Sequence, residues 1–156
     1  MKVIFGIAVA FFLIAGCKDS EEQLIRRADK IHASILTVDT HCDTPMEFSD
    51  PDFDLGVRHD DGCVDFPRMV EGGLHAEFFA VFTGQGPRND STYNKVHQKA
   101  LDIFSAIHKN VEKNSAMAEM AYTADDAYRI MKEGKIAAFI GVENAPRFFS
   151  YVVLDG

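Results

Sequence analysis

A cluster of ionisable side chains follows a segment rich in β-branched residues near the start of the chain. Residues 34–43 read SILTVDTHCD, which predicts a strand that Pro45 ends. Side chains alternate between the faces of a strand, so Asp39, His41 and Asp43 are expected on one face. An imidazole and a carboxylate two residues apart suit a zinc-like ion. The alternative is a histidine that is hydrogen-bonded to a neighbouring acid without a metal. The tripeptide His41-Cys42-Asp43, taken alone, favours this alternative.

A second carboxylate follows another apolar segment. Glu143 comes directly after IAAFIGV at residues 136–142, a run that predicts a buried strand. In parallel α/β folds the carboxyl ends of the strands face the active site. A carboxylate at such an end needs a positive partner. A metal held by His41 and Asp43 would be one. An arginine partner, such as the nearby Arg147, and a helix cap are the alternatives.

Three strands and the helices between them would position these groups. Strands are predicted at 34–43, 74–82 and 136–143, and helices at 21–32, at 92–114 and from Thr123 to the glycine at 134. Residues 49–68 are expected to be a long loop, followed by a short helical turn at 69–72. Nearly continuous apolar strands separated by helices predict an α/β fold with a parallel sheet covered on both faces. The start of a (β/α)₈ barrel and a small doubly wound sheet fit this pattern equally.

Four segments together resemble the membrane (renal) dipeptidase family, peptidase family M19. They are VDTHCDTP at 38–45, VDFPRM with EGGL within 64–74, FFAVF at 78–82 and GKIAAFIGVE at 134–143. The resemblance extends from about Ile31 to Ala145. It implies that residues 31–156 form the N-terminal part of a (β/α)₈ metallo-hydrolase barrel, truncated after about three strands.

The resemblance also implies a function and a role for each site residue. His41 and Asp43 would ligate one zinc, and Glu143, the catalytic residue, would bridge two zinc ions. Asp39 would be a supporting carboxylate behind these ligands. A hydroxide held between the metals would attack the carbonyl of a dipeptide, so no nucleophilic side chain is required. The family's other ligands, two histidines and an aspartate, lie on later strands, so the site is expected to be incomplete in this chain.

The first residues of the chain resemble an export signal. The apolar segment 3–15 is shorter than the roughly 20 residues that span a bilayer, and its length is typical of a signal peptide. LIAGC at 13–17 resembles a bacterial lipobox, so residues 1–16 are predicted to be a lipoprotein signal peptide and Cys17 the lipidated residue. Residues 17–30 would form a tether and the start of the first helix. Double acylation anchors a protein stably, which places it on the membrane surface of the bacterial cell envelope. A plain secretory peptide with an incidental cysteine is the alternative.

The charge of the chain argues against one class of partner. With 16 basic and 24 acidic residues the net charge is −8, and such a surface repels phosphate backbones, so nucleic-acid binding is not expected. Export would permit a disulfide between Cys42 and Cys63, although a buried free thiol at Cys42 is favoured.

Two other functional classes stay open. One is a non-catalytic lipoprotein fragment of a truncated dipeptidase gene, poorly stable and nearly inactive by itself. The other is a periplasmic solute-binding module, which only the predicted export and the α/β pattern support.

Overall fold

The computed structural model of the protein describes residues 20–50 and 52–144. The predicted signal peptide, the predicted lipidation site at Cys17 and the alternative partner Arg147 therefore lie outside the described residues. The chain divides into two compact units, one ending at Ile35 and the other beginning at Leu36. Within the part of the chain that the structure describes, no helix has the length and apolar character needed to cross a membrane.

The first unit contains helix α1, Glu21–Ser34. Its start is fixed by a capping box, because the Ser20 hydroxyl accepts a hydrogen bond from the Gln23 backbone N–H and the Gln23 side chain accepts one from the Ser20 backbone N–H. Glu22 and Arg26, one turn apart, form an exposed ion pair at 2.6 Å. The predicted helix is confirmed, and it extends two residues beyond the predicted end at residue 32.

The second unit is built on one parallel sheet of four strands in the order β1-β2-β4-β3. The strands are β1 Val38–Cys42, β2 Ala76–Phe82, β3 Ala118–Met120 and β4 Ile136–Glu143. The α/β fold with a parallel sheet is confirmed, and the sheet does not close into a barrel among the described residues. It has one strand more than the sequence predicted. The additional strand, β3, was not predicted because it is only three residues long and contains no β-branched residue.

The helices of this unit begin where side chains satisfy free backbone N–H groups. They are a 3₁₀ helix Thr44–Ser49, α2 Phe66–Gly72, α3 Asp90–Lys113 and α4 Ala124–Lys132. Asp65, Asn89 and Thr123 each accept a hydrogen bond from a backbone N–H three residues ahead and so cap α2, α3 and α4. The cap at Asp65 explains why the predicted turn at residues 69–72 begins three residues earlier.

Buried apolar side chains cover both faces of the sheet, as the sequence predicted. Phe79 of β2 packs with Phe66 of α2 and Ile107 of α3 in the larger cluster. Ala76, three residues earlier on the same strand, points to the opposite face and packs in a second cluster with Ile130 of α4. The helices thereby hold β2 and β4 in a fixed register up to their carboxyl ends, where Phe82 and Glu143 lie opposite each other.

Candidate active site

The end of β1 carries a bulge that alters which side chains share a face. Asp39 lies opposite Glu77 of β2, but Cys42 lies opposite Phe79, so β1 contains one extra residue in this interval. Asp39 and Cys42 therefore share the face of Glu77 and Phe79, and His41 lies on the other face. This differs from the simple alternation expected from the sequence, which placed Asp39 beside His41. Asp39 instead reaches His41 through the backbone, because its Oδ1 accepts a hydrogen bond from the His41 N–H at 3.1 Å.

His41 contacts both of the other predicted ligands. Its Nδ1 lies 2.6 Å from Oε1 of Glu143, and its Nε2 lies 3.4 Å from Oδ2 of Asp43. The side chain of His41 is 49% exposed, that of Glu143 41% and that of Asp43 58%, so the cluster is open to solvent. The structure thus brings together, at the carboxyl ends of β1 and β4, the three residues that the sequence singled out. Their roles as ligands stay a prediction.

Local structure holds each carboxylate of this cluster in position. Asp43 directly follows β1 and precedes the 3₁₀ helix, whose Pro45 is buried. Glu143 is the last residue of β4, and the Thr83 hydroxyl lies 3.4 Å from its carbonyl oxygen and donates to that of Asn144 at 3.0 Å. Asn144 has a left-handed φ of 50°, which asparagine tolerates better than most residues, so the chain turns sharply after Glu143.

The residue types of the cluster fit a zinc-like ion, whereas their arrangement is that of a hydrogen-bonded triad. One imidazole nitrogen and two carboxylates are ordinary zinc donors. Here the imidazole lies between the carboxylates, with a different ring nitrogen facing each. Accordingly, no group of three or more His, Cys, Asp or Glu side chains within the described residues converges as a metal site would. Binding of one ion by all three side chains would require both the imidazole and the carboxylates to adopt other positions.

A buried acid that the sequence did not single out lies beside the bulge. Glu77 is fully buried, and neither of its carboxylate oxygens has a hydrogen-bond partner among the described residues. Burial, with a smaller effect from the negative charge of Asp39, raises the pKa of Glu77 to about 8. Burial also raises the pKa of the Cys42 thiol. Cys42 and Cys63 are both free, as the favoured interpretation had it, and Cys63 is exposed.

The other histidines of this unit lie away from the cluster. The His59 ring is 2.9 Å from the carbonyl oxygen of Asp54, and Nδ1 of His75 is 2.8 Å from the Thr37 hydroxyl. Each of these two rings therefore contacts a neighbouring group of its own rather than a residue of the cluster. The histidines exposed on α3 are His97 and His108.

Comparison with known proteins decides the family. The family model for membrane dipeptidase (peptidase family M19) matches residues 25–155. The chain belongs to this family. The match includes β1, β4 and all three residues of the cluster, so the resemblance drawn from the four sequence segments is confirmed.

Individual relatives are considerably longer than this chain. Dipeptidase tcpJ of Claviceps purpurea (strain 20.1) is 30% identical over 86 residues, which cover 53% of this chain and 20% of that protein. The probable dipeptidase PvdM from Pseudomonas aeruginosa superimposes with a TM-score of 0.71 at 18% identity, over 86% of this chain and 35% of that one. A metallo peptidase from Rhodobacter sphaeroides, liganded with a phosphinate mimic of the dipeptide L-Ala-D-Ala, gives a TM-score of 0.57 at 17% identity, over 76% and 43%. This chain therefore shares the fold of a part of these two solved structures.

Proposed function

We propose that this chain takes part in the zinc-dependent hydrolysis of dipeptides. His41 and Asp43 would ligate one zinc, and Glu143 would bridge two zinc ions. The observation that carries the proposal is the contact of the His41 imidazole with both carboxylates where β1 and β4 end, in a chain of the membrane dipeptidase family.

The residues of the cluster would have different roles in such a site. A bound metal would polarise the dipeptide carbonyl and lower the pKa of its water. Release of the His41 ring from its contact at 2.6 Å would free both the imidazole and the Glu143 carboxylate for binding. Asp39 would act on the site through the His41 backbone N–H, which its carboxylate holds. The supporting role expected for Asp39 would thus be exerted without contact with the metal.

A dipeptide substrate is supported by the relatives. The Rhodobacter sphaeroides metallo peptidase carries a mimic of L-Ala-D-Ala, and the fungal relative is a dipeptidase by name. We therefore choose alanyl-D-alanine as the test substrate. This chain spans only about a fifth of the curated relative and 35–43% of the solved structures. The further ligands that the family resemblance implies, two histidines and an aspartate, would belong to segments that this chain does not match.

The test separates zinc binding from turnover on the purified chain. Zinc affinity is measured by competition with a chromogenic chelator, and hydrolysis of alanyl-D-alanine by release of free alanine. His41→Ala is expected to lose zinc binding. The matched control His108→Ala removes an exposed histidine from α3 and is expected to bind zinc normally.

Each outcome of this test decides between the two functional classes. Zinc binding that depends on His41, together with turnover, supports the dipeptidase. Zinc binding without turnover supports the metal site but favours the alternative, a non-catalytic lipoprotein chain. Equal zinc affinity of the His41 variant and the parent would refute the site.

For location, we propose attachment to the bacterial cell envelope through lipid on Cys17. The support is the lipobox-like LIAGC together with a family that is described as membrane dipeptidase. Cys17→Ala is expected to move the protein from the membrane fraction to the soluble fraction. Retention of the variant in the membrane fraction would contradict lipidation as the anchor.

A further inference from the structure

A cavity of about 310 Å³ is lined in part by Asn144, the residue that follows Glu143. It lies between the loop that follows β2, the first turns of α3 and the residue that follows β4. Its volume is at the lower end of the range for ligand pockets, which suits one side chain rather than a large ligand. The lining residues are Gly84, Gln85, Gly86, Arg88, Thr92, Tyr93, Val96 and Asn144.

The lining of this cavity is positive in a protein whose net charge is −8. Arg88 contributes a guanidinium, and no aspartate or glutamate lines the cavity. Among the described residues, no carboxylate forms an ion pair with Arg88. Thr92 belongs to the first turn of α3, the end at which a helix dipole favours negative charge. The amides of Gln85 and Asn144 add neutral hydrogen-bonding groups, so the chemistry of the lining suits a carboxylate.

The cavity is connected to the cluster through a single peptide unit. Asn144, which lines the cavity, directly follows Glu143, which contacts His41. Thr83 fixes this segment through its hydrogen bond to the Asn144 carbonyl, and the Gln85 side chain donates to Asn144 Oδ1 at 3.4 Å. The cavity and the cluster are therefore joined by two consecutive residues of the segment that ends β4.

We propose that this cavity is a subsite for an acidic side chain of the dipeptide, with Arg88 binding its carboxylate. The choice of a dipeptide as the ligand rests on the proposed function. The guanidinium adds a charge-assisted contact that a neutral side chain of the same shape does not make. The subsite therefore selects glutamyl over glutaminyl dipeptides.

The experiment compares two isosteric ligands, glutamyl-alanine and glutaminyl-alanine, which differ in one charge. Binding to the purified chain is followed by NMR titration, which needs no turnover, and hydrolysis is measured separately with added zinc. Glutamyl-alanine is expected to bind about two- to fivefold more tightly, the range for an exposed Arg–carboxylate contact. Arg88→Gln is expected to abolish this preference, and Arg88→Glu to reverse it.

A matched control excludes a general effect of charge. Lys109→Gln changes the net charge equally at an exposed position of α3 that does not line the cavity, so it is expected to keep the preference. Equal binding of the two dipeptides by the parent chain would overturn the subsite. An equal loss of alanyl-alanine binding in Arg88→Gln would overturn it too, since Arg88 would then bind the carboxylate common to all dipeptides.

The two proposals fail in different ways. Binding of glutamyl-alanine that depends on Arg88, without hydrolysis of any dipeptide, would support the subsite and contradict the dipeptidase. Hydrolysis of both dipeptides with the same kcat/KM and the same affinity would support the dipeptidase and refute the subsite.

Discussion

The free energy of unfolding of the parent chain is expected to fall as the pH rises, because Glu77 is buried. Replacement of Glu77 by glutamine is expected to abolish this pH dependence. Glu77 is fully buried on β2, its carboxylate oxygens lack hydrogen-bond partners among the described residues, and Asp39 lies opposite it on β1. An ionised carboxylate in these surroundings is costly. Folding therefore favours the protonated acid.

The magnitude follows from the pKa of Glu77, which is about 8 in the folded chain against 4.5 for a free side chain. Below pH 4.5 both states hold the proton, and the acid has no pH-dependent effect on stability. Between the two pKa values only the unfolded state releases the proton, so the free energy of unfolding falls by about 1.4 kcal/mol per pH unit. From about pH 5.5 to about pH 7.5 the loss amounts to roughly 3 kcal/mol. Above about pH 8 the folded state ionises as well, and the loss levels off.

Urea denaturation across this pH range, with a chelator present, measures the effect. Glutamine stays neutral, so the difference in unfolding free energy between Glu77→Gln and the parent should grow by roughly 3 kcal/mol from about pH 5.5 to about pH 7.5. The difference in unfolding free energy at about pH 7.5 is compared with the difference at about pH 5.5, so that any pH-independent cost of burying the amide cancels. The control Glu112→Gln alters an exposed carboxylate on α3 and should run parallel to the parent. Parallel curves for Glu77→Gln and the parent would refute the argument that burial keeps this acid protonated.

Three further substitutions test contacts that hold the sheet and the site. Asp65→Ala removes a buried carboxylate that caps α2 and binds the Arg68 side chain, and should lower the free energy of unfolding by about 3 kcal/mol in urea denaturation. Gly73→Ala places a Cβ at a φ of 67° and should cost about 1 kcal/mol by thermal denaturation, whereas an unchanged Tm would argue against the left-handed turn. Thr83→Val deletes the hydroxyl that holds the segment after β4 and should weaken zinc binding without abolishing it, as measured by chelator competition. Unchanged zinc affinity would show that this hydroxyl does not position Glu143.

The sequence predicted best those elements that local pattern determines. Glycine at position 134 and the apolar run after it predicted a strand at 136–143, and β4 spans these same residues. The predicted ends of the strands also indicated that His41 and Glu143 lie at the same edge of the sheet, because parallel strands have their carboxyl ends at one edge.

The features that the sequence did not predict depend on contacts distant in the chain. The bulge in β1 is defined only by pairing with β2, so alternation along β1 alone placed Asp39 on the wrong face. β3 is stabilised by pairing with β4 and by the burial of Ala118, and its three residues have no strand pattern of their own. The cavity around Arg88 combines a loop and the adjacent start of α3 with Asn144, which lies about fifty residues further along the chain.

The shortness of β3 leaves part of β4 open. β3 pairs with β4 only from Ile136 to Ala138, so among the described residues no strand pairs with 139–143 on that side. The backbone N–H and C=O groups there can receive one more parallel strand. A parallel strand added there would run toward Glu143, the last residue of β4. A donor group supplied there would approach Glu143 from the side away from β2, giving this carboxylate a neighbour on each flank.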